Sequence, residues 1–169
     1  MKTTEAITLT ILAGVMCLGL SFLTPAQNNP VSETEEKKAK TMYKFRVARP
    51  TDNLPEIVRF YRDGLGLEVL TSFENHEGFD GVMLGRKGRP YHLEFTHHQN
   101  HQVGKAPTQD NLLVFYIPEE AEWKSAIERM RRHGYEPVKS YIPYWDKKGK
   151  AFEDVDGYRV ALQNSTWDF

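Results

Sequence analysis

Residues 53–70 read NLPEIVRFYRDGLGLEVL. Asn53 and Glu56 stand three apart, the spacing of a capping box in which each side chain satisfies a backbone N–H of the other. Leu54, Ile57, Val58, Tyr61 and Leu65 then recur at helical spacing as one apolar stripe. Gly64 and Gly66 stop the helix, and the chain passes at once into LEVLTSF, a strand-like run. Before the helix, YKFRVARP (residues 43–50) alternates, with Tyr43, Phe45 and Val47 on one face. After it come LEVLTSF, GVMLGR and YHLEFT, separated by the glycine-bearing turns HEGFDG and RKGRP. The order is β-α-β-β-β.

The same order then restarts. NLLVFYI (residues 111–117) is a strand. Pro118 with Glu119 and Glu120 opens a helix whose Trp123, Ile127 and Met130 share a face, and Gly134 ends it. YEPVKSYI, KAFED and YRVALQN are expected as three further strands, with DVDG as the turn between the last two. The helix stops echo each other, GLGLEVL against RHGYEPV. Two β-α-β-β-β units, about residues 43–98 and 110–166, make an α+β fold in which the repeat itself is the signal.

The chain has 169 residues, a formal net charge of -1 and 27% charged residues. That suits one domain plus an appendage, and the lack of a basic stripe argues against a nucleic-acid partner. The appendage is MKTTEAITLTILAGVMCLGLSFLTPAQ, apolar from Ala6 to Leu23. Residues 1–26 are expected to be a signal peptide or membrane anchor, so the protein would be exported or membrane-anchored, touching a membrane only there. A true start at Met42 would make it cytoplasmic instead. Residues 27–41 are polar and charged with no apolar period and read as a flexible linker. The folded domain is expected over 42–169. The single cysteine, Cys17, lies in the apolar run, which leaves the domain no disulfide and no thiol nucleophile.

The stretch YHLEFTHHQNH, Tyr91 to His101, holds four of the six histidines. Alternation sends His92, Glu94 and Thr96 one way and Tyr91, Leu93 and Phe95 the other. Successive residues on one face lie about 7 Å apart, so a compact metal site needs ligands from elsewhere. His97, His98 and His101 are expected in a solvated loop. No serine–histidine–acid set, phosphate-binding glycine loop or cofactor fingerprint occurs.

FYRDGLGLEV and EDVDGYRVAL resemble the vicinal oxygen chelate superfamily, which includes glyoxalase I, bleomycin-resistance proteins and extradiol dioxygenases. RVARPTDN, GVMLG, YHLEFT, LLVFY and PYW are similar to its YycE-like subgroup. The resemblance covers roughly Phe45 to Asn164. It implies two glyoxalase-like modules side by side, curved mixed sheets enclosing a cavity with the helices outside.

Members that use a metal take one ligand from the first and last strand of each module. Those positions fall here on Arg46, Glu94, Asn111 or Leu112, and Ala161. Only Glu94 is a competent ligand, and a guanidinium has no lone pair to give. The expectation is therefore no metal cofactor, with Arg46 in its place making a bidentate pair with Glu94 across the cavity floor. The alternative is a divalent metal such as zinc, nickel, iron or manganese on His92 and Glu94, with His76 swinging in from the preceding turn.

Tyr144 and Trp145, in the loop YIPYWDKKGK, are stacking surfaces at the cavity mouth or, for Trp145, a plug between modules. The implied function is a small-molecule binding protein, with a homodimer as one assembly the resemblance allows. A metal-independent enzyme is its companion reading, with Glu94 or His92 as base and Arg46 stabilising an oxyanion. A divalent-metal-dependent lyase or dioxygenase is the alternative.

Overall fold

The computed structural model describes residues 43–167. The expected signal or anchor segment and the whole of the expected linker lie outside them. Among the described residues no helix is long and apolar enough to cross a membrane.

The first module comprises β1 (Phe45–Pro50), α1 (Leu54–Val58, continuing as a π-helical turn, Arg59–Gly64), β2 (Glu68–His76), β3 (Phe79–Gly85) and β4 (Tyr91–His98). Its sheet, here sheet A, has the order β1-β4-β3-β2, with β1 parallel to β4 and the other pairs antiparallel. The second module comprises β5 (Leu112–Tyr116), α2 (Glu120–Arg132), α3 (Tyr144–Lys147), β6 (Gly149–Glu153) and β7 (Arg159–Gln163). Sheet B has the order β5-β7-β6, again one parallel and one antiparallel pair. Both sheets are mixed and neither closes on itself, as the repeat implied.

Half of the capping box forms. Asn53 Oδ1 accepts from Glu56 N at 3.2 Å. The Asn53 N–H goes to Thr51 Oγ1 instead, at 3.0 Å, and the Glu56 carboxylate turns to Arg59. Gly66, at φ +84°, ends α1 in the left-handed region that favours glycine. The carbonyls left over there are taken by the other module: Arg129 of α2 donates Nε to Gly64 O at 3.0 Å and Nη2 to Leu65 O at 2.7 Å. Burial lowers the Arg129 pKa, but the guanidinium stays charged.

One expected strand is missing. Of YEPVKSYI only Val138 pairs, in a single bridge to Ala151. Pro137 has no N–H to give a ladder, and Ser140 N donates to both carboxylate oxygens of Asp146, at 3.2 and 3.3 Å. That bond folds the segment back into the short helix α3, so sheet B has three strands.

A single core joins the modules. Ile57, Phe60 and Tyr61 of α1 meet Leu84 and Phe95 of sheet A, Ile127 and Met130 of α2, and Phe152, Val160 and Leu162 of sheet B. The opposite face of sheet A, carrying Arg46, His92 and Glu94, is left outside this core.

Candidate functional site

In the parallel pair β1–β4, Arg46 sits opposite His92 and Ala48 opposite Glu94. Arg46 Nε donates to His92 Nε2 at 2.7 Å, and Arg46 Nη1 donates to Glu94 Oε2 at 2.8 Å. The structure thus brings Arg46 together with His92 and Glu94, the pair that alternation placed on one face of β4. It corrects the geometry: the expected bidentate Arg46–Glu94 pair is a fork. His92 is the direct partner of Arg46 in register and Glu94 lies one step further along the same face, so the guanidinium spans both.

The fork fixes a tautomer. A guanidinium only donates, so His92 Nε2 accepts and the neutral imidazole carries its proton on Nδ1. Glu94 Oε1, His92 Nδ1 and Arg46 Nη2 have no partners among the described residues. The Arg46 side chain is 47% exposed and that of Glu94 13%. Beside them the sheet is low: Gly85 pairs with His92 and Met83 with Glu94, and Leu70 leans over Gly85.

The four positions implied as ligands can now be read in register. Leu112 opposes Arg159 as Arg46 opposes His92, and Val114 opposes Ala161 as Ala48 opposes Glu94. Leu112, not Asn111, is therefore the fourth position. Arg46, Leu112 and Ala161 offer no lone pair, and one carboxylate beside a fixed cation does not fit a divalent metal.

His76 does not join His92 and Glu94. It pairs with Phe79 at one end of the β2–β3 hairpin, whereas His92 pairs with Gly85 at the other end of β3. Six residues of strand separate them by about 20 Å. Among the described residues no three His, Cys, Asp or Glu side chains converge.

His97 and His98 are not loop residues either, because β4 runs on through both. His97 Nδ1 lies 3.0 Å from Thr51 O, and the His98 ring packs edge-on to Phe79 at 4.6 Å. His101 does lie beyond the strand and is exposed. Trp145 packs on sheet B, where it lines a void of about 10 Å³ with Leu112, Ser140, Ala151 and Arg159. Tyr144 is exposed and edge-on to Trp145, 5.0 Å between rings.

A buried polar network went unread in the sequence. Arg49 Nη2 donates to Tyr61 Oη at 2.7 Å and to Asp154 Oδ2 at 2.9 Å, and Tyr61 donates to the same Oδ2 at 2.9 Å. Arg49 also stacks on the Tyr158 ring at 3.9 Å. Burial, with the Asp154 carboxylate adding to it, pushes the Tyr61 hydroxyl well above its ordinary range. Asp154 belongs to the DVDG turn, where its Oδ1 accepts from Asp156 N and Tyr158 N. This network pins the modules together and leaves the Arg46 site untouched.

A β-α-β-β-β module followed by a second that lacks one strand, both with open mixed sheets, and a carboxylate at the last strand of the first, define a protein of the vicinal oxygen chelate superfamily. Models of the YycE-like N-terminal domain and the YycE-like C-terminal domain match residues 45–96 and 110–164, and the chain belongs to this YycE-like family. It is 43% identical over 121 residues to the uncharacterized protein YycE of Bacillus subtilis, covering 72% of this chain and 87% of the relative. The crystal structure of a YycE protein from the same organism superposes with a TM-score of 0.70 at 41% identity, over 75% of this chain and 93% of that one. Glyoxalase I of Leishmania major shares the fold, with a TM-score of 0.57 at 21% identity over 72% of this chain and 86% of that one.

Proposed function

We propose that the protein binds an uncharged polar small molecule on the open face of sheet A, without a resident metal, through Arg46, His92 and Glu94. One observation carries this reading. The fork leaves an acceptor, Glu94 Oε1, beside two donors, Arg46 Nη2 and His92 Nδ1, none with a partner among the described residues. The trio has no net charge, one cation offsetting one carboxylate beside a neutral imidazole. A carboxylate ligand would meet Glu94, and a cation would meet Arg46. A ligand with an acceptor next to a donor, such as an amide, a lactam or a hydroxyketone, meets neither. Met83, opposite Glu94, and Leu70, which covers Gly85, supply apolar contact for its body.

The same arrangement supports a second reading as a metal-independent enzyme. Glu94 Oε1 would take a proton from a carbon next to a carbonyl, and Arg46 Nη2 would hold the oxyanion.

A thermal-shift screen of matched amides, carboxylates and amines, with and without added metals, tests the proposal. Stabilisation by the uncharged compounds, indifferent to metal and weakened about tenfold or more in Arg46→Met, is expected. Stoichiometric zinc, nickel, iron or manganese in the purified protein, or stabilisation that needs one of them, would overturn it.

A further inference from the structure

A groove of about 960 Å³ runs between α1 and the β2–β3 edge of sheet A. It lies on the sheet face opposite the Arg46 site. Asp80, Val82 and Leu84 alternate with Met83, and their partners His97, Phe95 and Leu93 alternate with Glu94. Its size is that of small-molecule sites. Leu54, Pro55 and Val58 of α1 form one apolar wall, and Val69 and Val82 line it from the sheet.

The β3–β4 end of the groove gathers acceptors, while Ser72, Asn75 and Gln99, which also line it, can donate as well as accept. Asp80 and His97 oppose each other directly across β3–β4, so their Cβ atoms lie about 5 Å apart. Asp80 Oδ1 accepts from Asn75 N at 2.8 Å, and Oδ2 has no partner among the described residues. His97 Nδ1 lies 3.0 Å from the Thr51 carbonyl, which can only accept. The ring therefore carries a proton on Nδ1, and in the neutral imidazole Nε2 keeps a lone pair. Glu74 adds a second carboxylate to the lining. Arg62 is the one guanidinium there, and Asp63 holds it through two bonds, at 2.6 and 2.9 Å.

We infer that this groove is a second ligand site, for a small amphipathic monoamine. Its ammonium donates to Asp80 Oδ2 and His97 Nε2, and its apolar chain or ring lies along Leu54, Pro55, Val58 and Val69. An ammonium has three N–H donors and no acceptor, which matches a pair of acceptors at the end of an apolar trough. An anion would face Asp80 and Glu74. Among the described residues no third carboxylate or imidazole, Glu74 included, converges with Asp80 and His97 on one point where a divalent metal could sit.

The test is a titration of the full chain with 2-phenylethylammonium, followed by ¹H–¹⁵N spectra, against 2-phenylethanol and 3-phenylpropanoate. The amine should bind about tenfold or more tightly than the alcohol, with shifts at Val69–Asn75, Asp80–Val82 and His97. Asp80→Asn should cost about tenfold in affinity while the Asn75 amide keeps its position, since the new side chain still accepts there. Arg46→Met should leave amine binding unchanged, which separates this site from the one proposed on the other face. Equal binding of the alcohol, preference for the carboxylate, indifference to Asp80→Asn or shifts confined to the Arg46 face would each overturn the inference. So would the absence of saturable shifts, or groove resonances that move with protein concentration because a second copy fills it.

Discussion

Arg49 and Asp154 belong to different modules, yet Arg49 Nη2 meets Asp154 Oδ2 at 2.9 Å with the carboxylate side chain fully buried. Asp154→Asn keeps an oxygen for the turn amides but removes the counter-charge. Arg49, whose side chain is 12% exposed, would be left a buried cation short of its partner. The expected loss is about 3–5 kcal/mol, read from urea unfolding. A change within the scatter of surface substitutions would show that the stack on Tyr158 suffices.

Asp52 gives a pH dependence of known sign. Backbone N–H groups of Val103 and Gly104, at 2.9 and 3.0 Å, hold its carboxyl below the usual range. Its contribution is complete above the unfolded value, about 4, and is lost as pH falls through the lower folded value. Asp52→Ala should lower the urea midpoint at pH 7, and its gap from the native chain should close progressively below about pH 4. Asp156 runs the other way: burial raises its carboxyl, so its share of stability grows as pH falls through the raised value.

Gly149 tests how α3 seats on sheet B. A Cβ there would lie 2.1 Å from Gln163 Oε1, 2.7 Å from Trp145 O and 2.9 Å from Leu162 O. The amide can swing, but the two carbonyls are backbone. Gly149→Ala should cost about 1–3 kcal/mol and alter Trp145 fluorescence. At Gly81 the obstacle is the far end of the Phe73 side chain, which can be displaced by a change of its first torsion, whereas backbone cannot, so Gly81→Ala should cost less. Equal costs would mean that α3 rides loosely on β6.

Arg46→His replaces a side chain that cannot give a lone pair with one that can, beside His92 and Glu94. A saturable zinc isotherm in calorimetry is expected for the variant and none for the native protein. Tight zinc binding by the native chain would contradict the metal-free reading.

The repeat was legible because helix stops and strand alternation are local: Gly64, Gly66 and Gly134 mark them without reference to the rest of the chain. The shared face of His92 and Glu94 was legible for the same reason, since parity along a strand survives any packing, whereas Arg46 was placed near them only by the family resemblance. What failed was non-local. Whether Arg46 reaches one partner or two depends on β1–β4 register. The strand expected at YEPVKSYI was lost to a bond between Ser140 and Asp146, six residues apart. The groove at Asp80 and His97 exists only because α1 leaves the β2 edge of the sheet uncovered, which no pattern within either segment records.

The common core, with Arg129 closing the end of a helix in the other module, means that either half alone would bare apolar surface and helix-end carbonyls that the other now covers. A chain severed between Gly104 and Lys105 should yield two fragments that stay unfolded apart and regain structure when mixed, each serving as the template for the other. However clearly its sequence reads as a duplication, such an outcome would make the molecule a single thermodynamic unit.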